Sequence, residues 1–598
     1  MNIYYKKNNN INLFNQLENS YNLITPHNYI PIYNYFFNLS NTNYNCINLN
    51  NKYHIINIKE RLSDSKFIAN ISDYSNNIID KKIFIKYSPL IDPCKFMVGK
   101  YDISYDISIL PTFDNSNNTL NKIQDMNNSA YTDGFFSYLS SYLLNNYKFI
   151  NGIDYYGAFL CVKKDFYCNI EDDIDYLSES KYFHENIDKL FKIINMDKVK
   201  NLFNNTRNYY KKININLHDS YHELNDIIEL SDNDINNDIN NDINNDINND
   251  INNDINNDII LEYNNEDIIN YPVDNYDLSD NINLLNNVNN KSNNTTSGSL
   301  CSSRSSNTSK SNTSNNDNTD RESETDSETD SETDSETHDE TQSDNEEIIT
   351  VNLNNFPVNS IILECCENTL DDYILNGKIN DIEWESIVLQ ILFTLITYQK
   401  VFNFTHNDLH TNNIVYVNTD KKFLYYKYNN THYKVATHGK IYKIIDFGRA
   451  IYSVKNQLIC SDSYSINGDA NSQYNFEPYF DKNKKIIKPN YSFDLCRLGC
   501  SIFDYFINDI EDIVKLKSPI KKLILKWVFD DKNRNILYKN NGDERYPDFK
   551  LYKMIARSVH NHLPNIVIKD PLFNKYHISK KNINKGYIIN IDELPILS

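Results

Sequence analysis

Phe404-Thr405-His406-Asn407-Asp408-Leu409-His410-Thr411-Asn412-Asn413-Ile414-Val415 is the stretch on which the fold turns. Upstream of it, Trp384, Ile387, Val388, Ile391, Leu392, Leu395 and Ile396 recur at helical spacing, which predicts a buried helix leading into the loop. Downstream, Ile414 and Val415 open a short β-branched strand, and a second strand at Ile444-Ile445 delivers Asp446 to a turn at Gly448. A loop acid, an amide five residues on and a strand-end acid make an economical set for phosphoryl transfer. Asp408 can accept the proton of an attacking hydroxyl. Asn413 and Asp446 can offer oxygen ligands to Mg2+, a hard cation that prefers them.

This constellation resembles the protein kinases. His406 to Asn413 matches the HRDxxxxN catalytic loop in spacing, and Asp446-Phe447-Gly448 is the DFG motif intact. Tyr491 to Gly499 resembles the start of the family's long central helix, whose acid, here Asp494, holds the catalytic-loop backbone. Ser360 to Cys366 resembles the strand and hinge that take adenine, with Leu363 at the gatekeeper position and Glu364 and Cys366 beside the base. Ile83-Phe84-Ile85-Lys86 resembles the VAIK strand, which makes Lys86 the candidate for the α- and β-phosphates. The five pieces occur in the family's order and cover about 50–520 apart from an insert. An enlarged hairpin around Phe423–Lys443, together with His410, is similar to the haspin branch, and the AT-rich coding style is similar to kinase-like proteins of large DNA viruses.

The resemblance implies a two-lobed α+β fold. Its parts are an amino-terminal segment 1–49 with no role assigned, a small lobe of sheet plus one helix over 50–164, an insert over 165–350, and hinge plus helical large lobe over 351–598. It implies ATP and Mg2+ as cofactors, with Asp408 and Lys86 catalytic, Asn413 and Asp446 on the metal, and transfer to Ser or Thr of a protein substrate. Two other readings stand beside it. One is a pseudokinase or scaffold that binds without transferring, and the other a small-molecule kinase of the aminoglycoside or choline kinase type.

Departures from the family pattern shape the expectations. No GxGxxG exists; the matching hairpin is Ser63-Asp64-Ser65-Lys66-Phe67-Ile68, with Ser63 and Ser65 at the first two glycine positions. Serine permits a tight turn but limits how closely a backbone approaches phosphates. The glutamate expected on the small-lobe helix is missing. Ser137 stands in its place, and Asp133, one turn earlier, is either a partner for Lys86 or the cap of that helix. Asn407 replaces the loop arginine, so a phosphorylated activation segment would lack its usual partner. Glu477 is a candidate for the acid that ends that segment.

Composition bounds the rest. The chain has 598 residues and a net charge of -22, yet 232–347 alone holds 29 acids against 4 bases. The remainder is close to neutral, so the acidity belongs to one segment. There, a DINN repeat at 234–257 and an SETD repeat from Ser323 cannot bury a core, which predicts a disordered acidic stretch. Around Tyr182–Phe203 the pattern suggests one or two helices. The amino terminus lacks a signal-peptide core, the apolar run Ile387–Tyr398 is shorter than the roughly 20 residues a membrane span needs, and the 10 cysteines form no CxxC pair. The expectation is a reduced, intracellular, cytoplasmic protein (host cytoplasm or virion for a viral chain) with no membrane and, for want of a basic stripe, no nucleic-acid partner.

Overall fold

The computed structural model describes residues 3–194 and 349–598, apart from 103, 115–117, 509, 511 and 584–586. The acidic repeats and residues 195–203 of the Tyr182–Phe203 stretch lie outside the described residues, and the described part holds one short helix, Lys181–Asn186.

Hydrophobic strands rich in β-branched and aromatic residues build an antiparallel sheet. In chain order they are β1 (Leu23–His27), β2 (His54–Arg61), β3 (Lys66–Ser72), β4 (Ile78–Pro89), β5 (Tyr155–Asn169), β6 (Phe191–Ile193) and β7 (Thr350–Glu364). Their spatial order is β1-β5-β7-β4-β3-β2, with β6 also paired to β7. The central pair is in register from Ile83 opposite Glu364 to Pro89 opposite Val358. Because side chains alternate along a strand, Ile83 and Ile85 are buried on one face while Phe84 and Lys86 share the other. Residues 165–194, read from the sequence as the beginning of the insert, extend this sheet: β5 runs on to Asn169 and β6 follows two short helices.

The amino-terminal segment acquires a structural role that its sequence did not advertise. Helix α1 (Ile11–Tyr21) is clipped to β2, its Gln16 amide donating to the Ile58 carbonyl (2.6 Å) and its Oε1 accepting from the Ile58 N–H (2.9 Å). Strand β1 then covers the edge of β5. Phe36 stacks on Phe135 at 4.7 Å, which closes the outer side of helix α2 (Ser129–Tyr147). That is why nearly every residue of α2 from Ala130 to Leu143 is buried rather than only one stripe of it.

Helix α2 lies very close to the sheet. A Cβ on Gly134 would come 3.0 Å from the Asn359 amide and 3.4 Å from Ile361. The same Asn359 donates to the Ala130 carbonyl at 2.8 Å. This approach carries the neighbouring Asp133 to the level of Lys86.

Beyond β7 the chain becomes mainly helical. Helix α3 (Asp381–Phe402) starts at an Asn380 cap that accepts from the Glu383 N–H and is buried almost throughout. It leads to the loop at His406 and on to strand β8 (Ile414–Asn418). The expected extra hairpin is present as β9 (Phe423–Tyr428) and β10 (Thr431–Ala436), turning at Asn429-Asn430, both with positive φ as a two-residue hairpin turn requires. Strand β11 (Lys440–Ile444) returns beside β8, and helices α4 (Phe493–Phe506) and α5 (Lys550–Ser558) pack below the loop. The class is α+β, with several sheets. Among the described residues, no helix is long and apolar enough to cross a membrane.

The tight contact at Gly134 is open to test. Gly134→Val should lower stability by about 1–3 kcal/mol through overpacking, read from the midpoint of urea unfolding. An unchanged midpoint would show that helix and sheet are not in the close contact described.

Candidate active site

The loop is held from below by a buried carboxylate. Asp494 on α4 accepts from the His406 N–H at 2.9 Å and the Asn407 N–H at 2.8 Å. Helix α4 thus fixes the loop backbone as the sequence led us to expect. The His406 ring spans the same space, its Nε2 lying 2.9 Å from the Ile445 carbonyl and its Nδ1 accepting from the Asp408 N–H at 3.3 Å. Asn407 takes a left-handed φ of 64°, which asparagine tolerates better than most residues.

Asn413 joins the loop to the second acid. Its Nδ2 donates to the Asp408 carbonyl at 2.9 Å and lies 3.0 Å from His410 Nε2, so its Oδ1 is the ligand it can offer a cation. Its own carbonyl accepts from the Ile445 N–H at 3.0 Å, which brings it next to Asp446. Among the described residues there is no cluster of three or more His, Cys, Asp or Glu suited to a metal. Mg2+ bound beside a nucleotide takes most of its ligands from phosphate and water and one or two from protein. The amide and the carboxylate together fit that modest demand.

Lys86 is the hub of the upper wall. Its Nζ lies 2.7 Å from Asp133 and 2.8 Å from Asp446. Burial alone would push its pKa down, but the two carboxylates outweigh burial and hold it above the ordinary lysine value. Asp133 also accepts the Phe447 N–H at 2.9 Å. Of the two roles open to it, Asp133 is therefore the ion-pair partner of Lys86. The capping alternative is corrected: the cap of α2 is Asn128, which accepts from the Ala130 N–H at 3.0 Å. The Phe447 ring packs on Phe136 at 4.6 Å and near His406 and Phe404, holding the turn after Asp446 inward.

Asp408 is enclosed. The Tyr552 hydroxyl donates to its Oδ1 at 2.7 Å, and Arg449 Nη1 lies 3.5 Å from its Oδ2. Burial would raise this carboxyl, but Arg449, with Arg497 and the Tyr552 hydroxyl, keeps it far below the usual carboxylate range. His410 goes the other way: burial pushes it down to about 4, so its imidazole is neutral near pH 7. Lys86, Asp408, Asp446, Gly448 and Arg449 line one cavity of about 160 Å3.

The remaining candidates lie apart from that cavity. Ser63 sits in the β2–β3 turn, where its hydroxyl accepts from the Lys66 N–H (3.1 Å) and the Ser65 N–H (3.4 Å). The N–H groups of Leu62 and Ser63 both bond the Lys66 carbonyl. Those four amides are thus spent inside the hairpin. Glu364 ends β7, and its carboxylate accepts from the Asp154 N–H (2.7 Å) and pairs with Lys443, so its side chain fixes the strand end. Cys366 is half-buried two residues on, its thiol pushed up by burial. Phe84 stands on the Lys86 face opposite Leu363, a bulky neighbour that the strand reading did not weigh.

Contacts from distant segments were not legible in the sequence. Asn407 accepts the Tyr474 hydroxyl (2.7 Å) and donates to the Arg449 carbonyl (3.0 Å). Asp462 pairs with Lys122 at 2.5 Å and accepts the Ser129 N–H at 2.9 Å, tying residues after Gly448 to the start of α2. Glu477 is exposed.

Two substitutions separate the candidates on α2. Asp133→Ala should cost about 1–3 kcal/mol, because it removes one of the two carboxylates paired with buried Lys86 and leaves the Phe447 N–H without its acceptor. Ser137→Ala should cost well under that. Chemical denaturation of both variants decides it, and a smaller loss for Asp133→Ala would unseat Asp133 as the partner of Lys86.

Compared with protein-family models and with curated protein sequences, the chain matches none.

Proposed function

We propose that the chain is a phosphotransferase of the protein-kinase type, moving the γ-phosphoryl group of ATP to Ser or Thr of a protein substrate. The observation that carries this reading is the meeting of Lys86, Asp408 and Asp446 at one cavity, with Lys86 held between Asp133 and Asp446. The order β2-β3-β4-β7-β5, with α2 between β4 and β5, supports a two-lobed arrangement hinged after Glu364.

In this reading adenine lies along the backbone of Glu364 to Cys366 and the phosphates lie against Lys86. Mg2+, held by Asn413 and Asp446, neutralises charge on the phosphate oxygens when bound. Asp408 orients the acceptor hydroxyl and receives its proton. A strongly depressed carboxyl is a weak base, which suits a loose transition state where the bond to the leaving oxygen is largely broken. Asn407, with the Tyr474 hydroxyl on its amide oxygen, and Asp462 on Lys122 join the activation segment to its surroundings without a phosphate.

A binding-only scaffold is the second reading, favoured by one observation: the hairpin amides that would cradle phosphates are bonded within the hairpin.

Transfer of labelled phosphate from ATP to generic protein acceptors, with and without Mg2+, discriminates between the two. The wild type should transfer only with Mg2+, and Asp446→Asn should fall by more than about 100-fold. Equal transfer by the variant would remove Asp446 from the site, whereas nucleotide binding without any transfer would favour the scaffold.

A further inference from the structure

A carboxylate beside a nucleotide's phosphates is held ionised and in place by a cation that offsets their repulsion, and the loop 406–413 around Asp408 contains no Lys or Arg. His410, two residues on, turns its Nε2 to the Asn413 amide 3.0 Å away. Lys86 is engaged by Asp133 and Asp446. Arg497 lies 4.0 Å from Asp408 through its Nε, but its guanidinium stacks on Tyr552 and does not line the cavity. The other ionisable groups around Asp408 are His406, Tyr552 and Asp494.

Arg449, the residue after the glycine turn, supplies that cation. It lines the cavity with Lys86 and Asp446, and its Nη1 is 3.5 Å from Asp408. Its other face is built in. Nε and Nη2 reach the same Asp469 oxygen at 3.2 and 2.6 Å, and the guanidinium lies over the Tyr552 ring at 5.4 Å and the Phe549 ring at 5.8 Å. The Arg449 carbonyl accepts from Asn407 and from the Tyr464 hydroxyl. A guanidinium is planar and permanently charged, so gripping one side of it aims the other.

We propose that Arg449 is the positioning residue for Asp408: anchored by Asp469, it aims the Asp408 carboxylate at the acceptor hydroxyl and supplies the positive charge that the loop lacks. The inference rests on the reading of Asp408 as proton acceptor. In the step concerned, the acceptor oxygen bonds to the γ-phosphorus as the bond from that phosphorus to the bridging oxygen breaks. ADP leaves with that electron pair, and the hydroxyl proton passes to Asp408. The chain Asp469–Arg449–Asp408 then couples the activation segment to the base through ion pairs.

Steady-state kinetics of the full chain with Mg·ATP and casein test this. Arg449→Ala should lower kcat about 100-fold while the KM for ATP stays within about twofold, because ground-state nucleotide binding does not use Arg449. Arg449→Lys should recover part of the loss. Asp469→Asn should lower kcat by a smaller factor, and the double variant Arg449→Ala/Asp469→Asn should be no slower than Arg449→Ala, since the two act as one unit. If Arg449→Ala fails to fold, Arg449→Lys and Asp469→Asn carry the test. A kcat unchanged in these variants, additive losses in the double variant, or a loss confined to KM would overturn the inference alone. A wild type with no Mg2+-dependent transfer would overturn it together with the reading on which it rests.

Discussion

One buried ammonium governs the arrangement. An isolated charge of this kind is too costly to bury, and Lys86 is tolerated because Asp133 and Asp446 lie within 2.8 Å of it. The three residues come from three places: strand β4, helix α2 and the turn after β11. Losing Lys86 leaves two buried carboxylates facing each other, and losing either acid leaves the ammonium with a single partner, so the network specifies relative position as well as contributing to stability. Gly134 is part of the same constraint, because a Cβ there would press on the Asn359 amide at 3.0 Å and its absence eases the close approach of α2 to the sheet.

The lower half obeys a parallel logic with the signs exchanged. Asp408 is a buried carboxylate, and its compensation comes from Arg449, Arg497 and the Tyr552 hydroxyl. Asp494 is another, compensated by two backbone N–H groups rather than by a side-chain cation. Asn407 and Asp446 both take positive φ, so the loop and the turn bend where short polar side chains make left-handed backbone affordable. Each acid is spent on a different task, which explains how several can coexist in so small a volume.

How far the sequence reveals this depends on how local each signal is. His406 to Asn413 and Asp446 to Gly448 are legible because their spacing is short and their elements, α3, β8 and β11, are flanked by clear apolar patterns. The β9–β10 hairpin was legible as surplus length between two such landmarks. Asp133 was visible only as one of two alternatives, since choosing between a cap and a partner needs the depth at which α2 meets the sheet. The contributions of Tyr552 and Asp469 were invisible: their contacts to Asp408 and Arg449 join segments with no shared periodicity. The same holds for residues 1–49, whose strand β1 and Phe36 ring pair with elements more than ninety positions away.

The nucleotide-phosphate site proposed for this chain rests on the Lys86 network. The most direct measurement is a calorimetric titration of Mg·ATP into the wild type and into Lys86→Met, with circular dichroism to establish that both are folded. Saturable binding is expected for the wild type in the range of about 1 μM–1 mM, weakened about tenfold or more in the variant, equivalent to about 1.4 kcal/mol of lost charge interaction. A folded wild type that does not bind, or equal affinity in both proteins, would contradict it.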